Sequence, residues 1–399
     1  MFEPENLRFN FIDILNAPRR ALKAKKIWAH LMGLMMAYPF YVVLTYLALL
    51  SEGRSVTSTW NQYGIYPFFP WDSGELSYLS GWAIYALGLL IFVVITLLAS
   101  TVVSRIVYKE LKGDPFYSIK DALTFTRRHG RTLAFAPLAV VLIILFFLAM
   151  ATVMALLGKI PYLGEVIFVS LYPLYFVGSL FTLFTGVVLA VLLLYLPAII
   201  AAWEEDAMGS TFQAYSITWN QPWRVVIYSA LIGVLALAGA FIYGWVITAG
   251  YHFINRVFGP AWLMGDKLGP ILAWAEQIVF SGYSRLFSYI PGQGAILSPL
   301  TTGLQPSAVT GWEAFMGSIL ALLLLLIYGS IWAYGLAIIS VGQSLAFLIY
   351  KFKTDDENLL ERKDEEDLAA EDTDKSAGQP EGKASLSSAA DEGQDDAQP

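Results

Sequence analysis

The sequence predicts an all-α integral membrane protein: a six-helix transmembrane bundle with cytoplasmic amphipathic elbow helices and a disordered acidic C-terminal tail. First, the 399-residue chain is 57% hydrophobic and only 14% charged, whereas soluble domains carry about 25% charged residues. Second, apolar stretches reach the roughly 20 residues that cross a bilayer as a helix. Third, these stretches lack the alternation of a strand, and lipid leaves no unpaired backbone group tolerable.

The apolar stretches place the six spans. They lie near 28–50, 77–103, 132–157, 172–202, 225–249 and 316–350. The fourth and sixth exceed the length that one crossing requires, so we expect them to tilt or protrude. The sequence thus predicts a membrane domain over 28–350, preceded by a basic amphipathic segment over 1–27.

The distribution of basic residues predicts the topology, because cytoplasmic segments are enriched in Lys and Arg. Basic residues concentrate before the first span and between the second and third: Arg8, Arg19, Arg20, Lys23, Lys25, Lys26, Arg105, Lys109, Lys112, Lys120, Arg127, Arg128 and Arg131. An even number of spans then places both termini in the cytoplasm. Because the sequence has no Asn-x-Ser/Thr sequon, we expect the cytoplasmic (inner) membrane of a bacterium.

The acidic character of the chain comes from its C-terminal tail. Residues 351–399 contain 16 acidic and 6 basic residues, a net charge of −10, and the rest of the chain carries +3. With almost no aromatic residues, the tail cannot bury enough apolar surface to offset its ordering entropy, which predicts disorder. It serves either as a solubilising spacer or as a docking segment.

An internal repeat predicts the elbow helices. The stretches 115–135 and 209–228 align Ser118 with Ser210, and 11–31 is a fainter third copy. Each copy precedes an odd-numbered span, which predicts three units of a cytoplasmic amphipathic helix and a transmembrane hairpin. Serine caps the exposed N–H groups of a first helical turn, so Ser118 and Ser210 are the expected N-caps.

Two elbows carry opposite charge. The acidic triplet Glu204, Glu205 and Asp206 precedes the elbow helix that leads to Arg224, and the basic cluster Arg127, Arg128 and Arg131 belongs to the other elbow. We expect these elbows to pack together through their charges. The basic cluster has alternative roles as a topology anchor or a phospholipid site. A divalent cation on the triplet is disfavoured, because three consecutive helical residues cannot all face one ion.

Small residues mark two helix-packing seams. They recur every four residues in the fourth span, at Gly178, Thr182, Gly186 and Ala190, and in the fifth, at Ala236, Ala240, Gly244 and Thr248. Such stripes let helix backbones approach closely, which membrane helices need because lipid supplies no hydrophobic drive. The seams either hold one bundle together or dock another subunit.

The loop over 250–314 has a helical apolar pattern of its own. It is formed by Leu268, Ile271, Leu272, Ala275, Ile278, Val279 and Leu286. One-sided apolar spacing in a segment between two spans predicts an amphipathic helix lying on the outer leaflet.

The segment around the acidic triplet resembles a pattern in bacterial polytopic membrane families. These include the membrane domain fused to glycerophosphodiester phosphodiesterases and Yip1-like proteins. The shared positions are Pro197, Glu204, Gly209, Ala214, Ser216 and Arg224, within LYLPAIIAAWEEDAMGSTFQAYSITWNQPWRVVIY. The resemblance implies a helical membrane domain of unassigned function, since the phosphodiesterase chemistry belongs to a soluble domain that this sequence lacks.

No motif predicts a reaction. The sequence has no cysteine, no HExxH, no GxSxG and no phosphate-binding loop, and His30, His129 and His252 fall on different sides of the predicted membrane. The predicted spans contain no Asp, Glu, Lys or Arg, which disfavours a charge relay. We therefore expect a non-enzymatic protein without catalytic, cofactor-binding or metal-binding residues.

The expected role is a scaffold, assembly or accessory subunit of a membrane complex. The alternative is a transporter or channel for a neutral or lipid-like solute, with the two seams lining a path. The expected partners are membrane lipids and another membrane or cytoplasmic protein, bound through the tail or the seams. No nucleic-acid partner is expected.

Overall fold

The computed structural model describes residues 4–69, 73–260, 262–280, 309–364 and 366–368, and it confirms the all-α fold. The helices are α1 (Phe11–Leu15), α2 (Ala17–Ala21), α3 (Ala24–Ser51), α4 (Val56–Tyr63), α5 (Leu79–Leu111), α6 (Ile119–Leu157), α7 (Leu163–Trp203), α8 (Ala207–Asn220), α9 (Pro222–Phe258), α10 (Gly265–Phe280) and α11 (Gly311–Asp355). All belong to one compact unit, Met1–Leu360. Most of the predicted disordered tail lies outside the described residues.

Six of the helices in the described ranges are long and apolar enough to cross a membrane: α3, α5, α6, α7, α9 and α11. The chain is therefore a multi-pass membrane protein. We call the end of the bundle where α3 begins and α11 ends the terminal face, and the other half of the bundle the distal half. The terminal face is the side that the charge distribution predicts to be cytoplasmic.

Several helices extend beyond their apolar stretches at the terminal face. Most of the predicted elbow over 115–135 is the first part of α6, which begins after the N-cap Ser118 and runs without interruption into the span. The elbow after the acidic triplet is instead a separate helix, α8, because the backbone leaves helical geometry at Gln221 before α9 begins at Pro222. The N-terminal elbow forms the short helices α1 and α2, with Ile14, Ala17 and Ala21 buried.

Helices α3 and α5 form a close antiparallel hairpin. A Cβ on Gly33 would lie 2.6 Å from the Cβ of Ala99, so the two backbones approach too closely for any larger residue at position 33. In the distal half the hairpin is closed by a buried aromatic cluster that includes Tyr41, Tyr63 and Tyr85.

Helix α11 is the centre of the bundle, because α3, α5, α7, α9 and α10 all pack against it. Its seam with α9 is close-packed: a Cβ on Gly335 would lie 3.5 Å from the Cβ of Ala240, and one on Gly244 would lie 3.4 Å from Ile331. The predicted seam in the fifth span is therefore a contact within the bundle.

Helix α10 differs from the amphipathic surface helix that the sequence predicts. Its Trp274 indole donates a hydrogen bond to Ser318 (3.2 Å), and its Phe280 ring lies 5.5 Å from the Tyr328 ring. Residue numbers rise together along both helices, so α10 runs parallel to α11 instead of lying across the end of the bundle. Leu286, the last residue of the predicted apolar pattern, lies outside the described residues.

We expect Gly33→Ala to lower the free energy of unfolding by about 1–3 kcal/mol, because the added methyl overpacks the α3–α5 contact. Gly233→Ala on α9 is the matched control, since a Cβ there meets nothing within 4 Å. Denaturant titration in detergent micelles measures both. Adding Ala99→Gly to the Gly33→Ala chain should restore stability; failure of that rescue would refute the close contact.

Candidate functional site

The arginine at the terminal-face end of α5 is fully buried and joins the chain at several points. The Arg105 guanidinium donates a 2.8 Å hydrogen bond to the carbonyl of Ala201 and forms a 2.8 Å ion pair with Glu204. It also lies 4.0 Å over the ring of Phe125. One side chain therefore connects α5, the end of α7 and the beginning of α6. Because a buried charge is costly unless paired, these contacts fix the relative positions of the three helices.

Glu204 ends α7 in an unusual backbone conformation. Its φ of 58° and ψ of 23° lie in the left-handed region, which few residues other than glycine adopt. Its backbone N–H donates to the carbonyl of Ile200, and its side chain is only 9% exposed in the ion pair with Arg105. The turn that ends the helix thus points the carboxylate into the bundle.

The three residues of the acidic triplet have different roles. Glu204 pairs with Arg105, and the carboxylate of Asp206 accepts the N–H of Gly209 at 2.8 Å, as the N-cap of α8. Glu205 folds over the same turn, so that a Cβ on Gly209 would lie 2.5 Å from its carboxylate. The predicted N-cap Ser210 is wrong, because Ser210 lies inside α8 and is buried. The predicted cap of α6 is confirmed: Ser118 accepts the N–H of Asp121 at 3.1 Å.

The two elbows meet through apolar side chains. Ala214 of α8 belongs to one buried cluster with Phe125, Leu133 and Ala136 of α6. The side chains of the basic cluster, Arg127, Arg128 and Arg131, are exposed, and Arg224 donates to Gln221 at 3.1 Å. Contact between the basic cluster and the acidic triplet stays a prediction.

Three lysines surround one carboxylate at the terminal face. Glu110, near the end of α5, lies within 3.1 Å of Lys23 and within 2.8 Å of Lys25 and Lys26. Lys26 is nearly inaccessible and also donates to the carbonyl of Arg20. These contacts join the beginning of α3 to the end of α5.

The N-terminal segment has its own ion pair. The Arg20 guanidinium donates to both oxygens of Glu5, at 2.7 and 2.6 Å, and this hydrogen bonding lowers the pKa of Glu5 below its ordinary value. Because the pKa is lower in the folded chain, the contact stabilises the fold fully above the ordinary pKa. The stabilisation is lost as the pH falls through the lowered value.

A polar network ties α7, α9 and α11 together at the terminal face. The hydroxyl of Tyr195 lies 3.0 Å from that of Tyr350 and 2.8 Å from that of Ser229. The amide of Gln221 donates to the carbonyl of Tyr350 at 3.0 Å. Hydrogen bonds between buried hydroxyls are directional, so they fix the positions of the helices along one another, which apolar packing alone would not do.

The seam on α7 is open, unlike that on α9. A Cβ on either Gly178 or Gly186 would meet nothing within 4 Å, and Gly186 and Ala190 are exposed. Helix α7 packs instead through its other side, where Thr185, Val188 and Leu192 are buried.

The described residues hold no group of three His, Cys, Asp or Glu side chains close enough to bind a metal ion. No protein-family model, curated protein or solved structure matches the chain. The resemblance to polytopic membrane families of unassigned function therefore stays a prediction.

The central roles of Arg105, which the sequence marked only as a topology residue, and of Glu110 were not predicted. The available signal was their position. Both lie where the apolar stretch of α5 ends but the helix continues, so their side chains are carried into the helix packing at the terminal face.

We expect Arg105→Met to cost about 3–5 kcal/mol of unfolding free energy, because Glu204 then lies buried without its arginine. Glu204→Gln should cost a similar amount, and the double variant less than the sum of both. Arg127→Met, at an exposed arginine of α6, is the control and should stay within about 0.5 kcal/mol of wild type. Denaturant titration gives the coupling energy; additive effects would contradict a functional ion pair.

Proposed function

We propose that the protein is a non-enzymatic scaffold, assembly or accessory subunit of a membrane complex in the cytoplasmic membrane, with its terminal face in the cytoplasm. The observation that supports it best is the distal half of the α6–α7 hairpin. Across residues 141–184, all of them described, Gly164 alone is buried. The distal parts of the other hairpins, in contrast, have buried aromatic or aliphatic clusters.

The exposed hairpin offers apolar surface on several sides. Phe146 and Val153 of α6 and Val169 and Val177 of α7 are all more than half exposed. The two helices touch through rings such as Phe147 and Phe181, whose centroids are 5.1 Å apart. Lipid can cover such surface. Nevertheless, a membrane helix that leaves small residues open provides the close approach that a second helix requires.

The open seam of α7 adds a specific docking face. Gly186 and Ala190 continue the stripe of small residues toward the terminal face, and the seam points away from the side that packs in the bundle. The ion pair of Arg105 with Glu204 anchors the base of this hairpin. A firmly anchored hairpin with an uncovered seam is suited to receive a transmembrane helix of a partner.

We expect Gly186→Leu to dissociate the complex without unfolding the chain, because the larger side chain fills the seam at a position where a Cβ meets nothing within 4 Å. Gly233→Leu, at an equally open position of α9, is the matched control. Native gel electrophoresis of mildly solubilised membranes should show a species larger than the 44.2 kDa chain for wild type and control alone. A Gly186→Leu complex of unchanged size would refute this role for the seam.

A second candidate function is a proton pathway, which differs from the neutral or lipid-like solute expected from the sequence, and α10 favours it. Glu276 is buried between helices and accepts a 2.8 Å hydrogen bond from the Tyr251 hydroxyl. Because α10 runs along a membrane-spanning helix, this carboxylate lies between the levels of Ser318 and Tyr328 of α11. Ionisable residues at such depth commonly belong to solute or proton pathways.

If this candidate is correct, liposomes containing the protein should conduct protons faster than empty liposomes, and Glu276→Gln should abolish the difference. Glu313→Gln is the control, since Glu313 lies at the N-terminus of α11 and accepts from Thr310. A pH-sensitive dye inside the liposomes measures the flux. Wild-type liposomes as tight as empty ones would eliminate the proton pathway and leave the scaffold role.

A further inference from the structure

An apolar groove of about 370 Å³ lies between α7 and α8. Its lining consists of Phe181, Phe184, Tyr215, Ser216, Trp219 and Asn220. This volume falls within the usual range of small-molecule sites, about 300–1,000 Å³. Neither the ion pairs of the terminal face nor the open seam includes these residues.

Aromatic rings form the walls of the groove. The ring of Phe184 meets that of Trp219 edge-on, with centroids 5.6 Å apart, and lies 6.0 Å from that of Tyr215. The Tyr215 hydroxyl donates to Thr185 at 3.2 Å, so its polar end is turned into the helix contact. The walls thus present carbon to an occupant.

Polar groups lie at one end only. The Asn220 amide donates to the Ser216 hydroxyl at 3.2 Å, beside the end of α8. A long apolar wall with a hydroxyl and an amide at one end matches the two parts of a phospholipid, whose acyl chain is apolar and whose headgroup is polar.

The surroundings of the groove decide between lipid and other occupants. The side of α8 that faces the bundle buries Ala214 and Ile217, yet its outward side is also apolar, with Phe212 and Trp219 exposed. Leu183 of α7 is exposed next to the groove as well. The groove is therefore continuous with the apolar surface that a multi-pass protein turns to lipid.

We infer that the groove binds one acyl chain of a bilayer phospholipid, with the headgroup at the end marked by Ser216 and Asn220. Trp219 forms the outer wall and holds the chain against α7. The bound lipid would fill the space between α8 and the projecting hairpin, and so brace the hairpin at its base.

The test counts lipids that stay with the protein. The full chain is reconstituted into vesicles of phosphatidylethanolamine and phosphatidylglycerol, re-extracted in mild detergent and weighed intact by native mass spectrometry. We expect one phospholipid per chain to be retained. Ser216→Trp, which fills the groove, should lose it, whereas Val226→Trp on the exposed surface of α9 should retain it.

Circular dichroism and gel filtration establish that each variant is folded. If Ser216→Trp does not fold, Trp219→Ala replaces it, since removing the outer wall should also release the lipid. Wild-type protein without retained lipid overturns the inference, as does a lipid equally retained by the groove variants. A stoichiometric protein that co-purifies with wild type and is lost with Ser216→Trp would also overturn it, in favour of a protein ligand.

Discussion

The burial of Arg105 is the constraint on which the terminal face depends. A guanidinium with no access to water requires acceptors, and two of them come from the end of α7, at Ala201 and Glu204. Supplying the carboxylate forces α7 to end in a left-handed turn. That turn sets the direction of α8 and hence the position of the groove. Helix geometry alone does not determine how α7 ends or where α8 points. The free-energy cost of leaving a buried charge unpaired does.

The sequence was sufficient for the spans and insufficient for the contacts between them. Spans are predictable because lipid leaves a long apolar stretch no structure other than a helix. The N-cap of α8 was not predictable, because Asp206 and Ser210 are both good capping residues and only the course of the chain after Glu204 selects between them. Equal stripes of small residues likewise gave no indication that the α9 seam is filled and the α7 seam open.

The three hairpins differ in how much of their surface is packed inside the protein, and the functional proposals depend on this difference. The α3–α5 hairpin closes on itself around Tyr41 and Tyr85, and α11 packs against both α9 and α10. The α6–α7 hairpin is held only toward its base, where Leu192 and Leu196 join the cluster around Leu133. A protein that bound nothing on the α6–α7 hairpin would gain stability by packing that hairpin too. Its exposure is best explained by lipid, a partner helix, or both.

The central position of α11 has a consequence for biogenesis. Helices α3, α5, α7 and α9 all follow one another out of the ribosome before α11, yet each packs against it. Two polar contacts also need α11: His30 of α3 lies against Ser340 of α11, and Tyr195 of α7 lies against Tyr350 of α11. The α3–α5 and α6–α7 hairpins can therefore pack on each other through α5 before α11 is made, but His30 and Tyr195 then lack their partners on α11. The core of the bundle closes late in synthesis, when α11 enters between hairpins that already span the membrane.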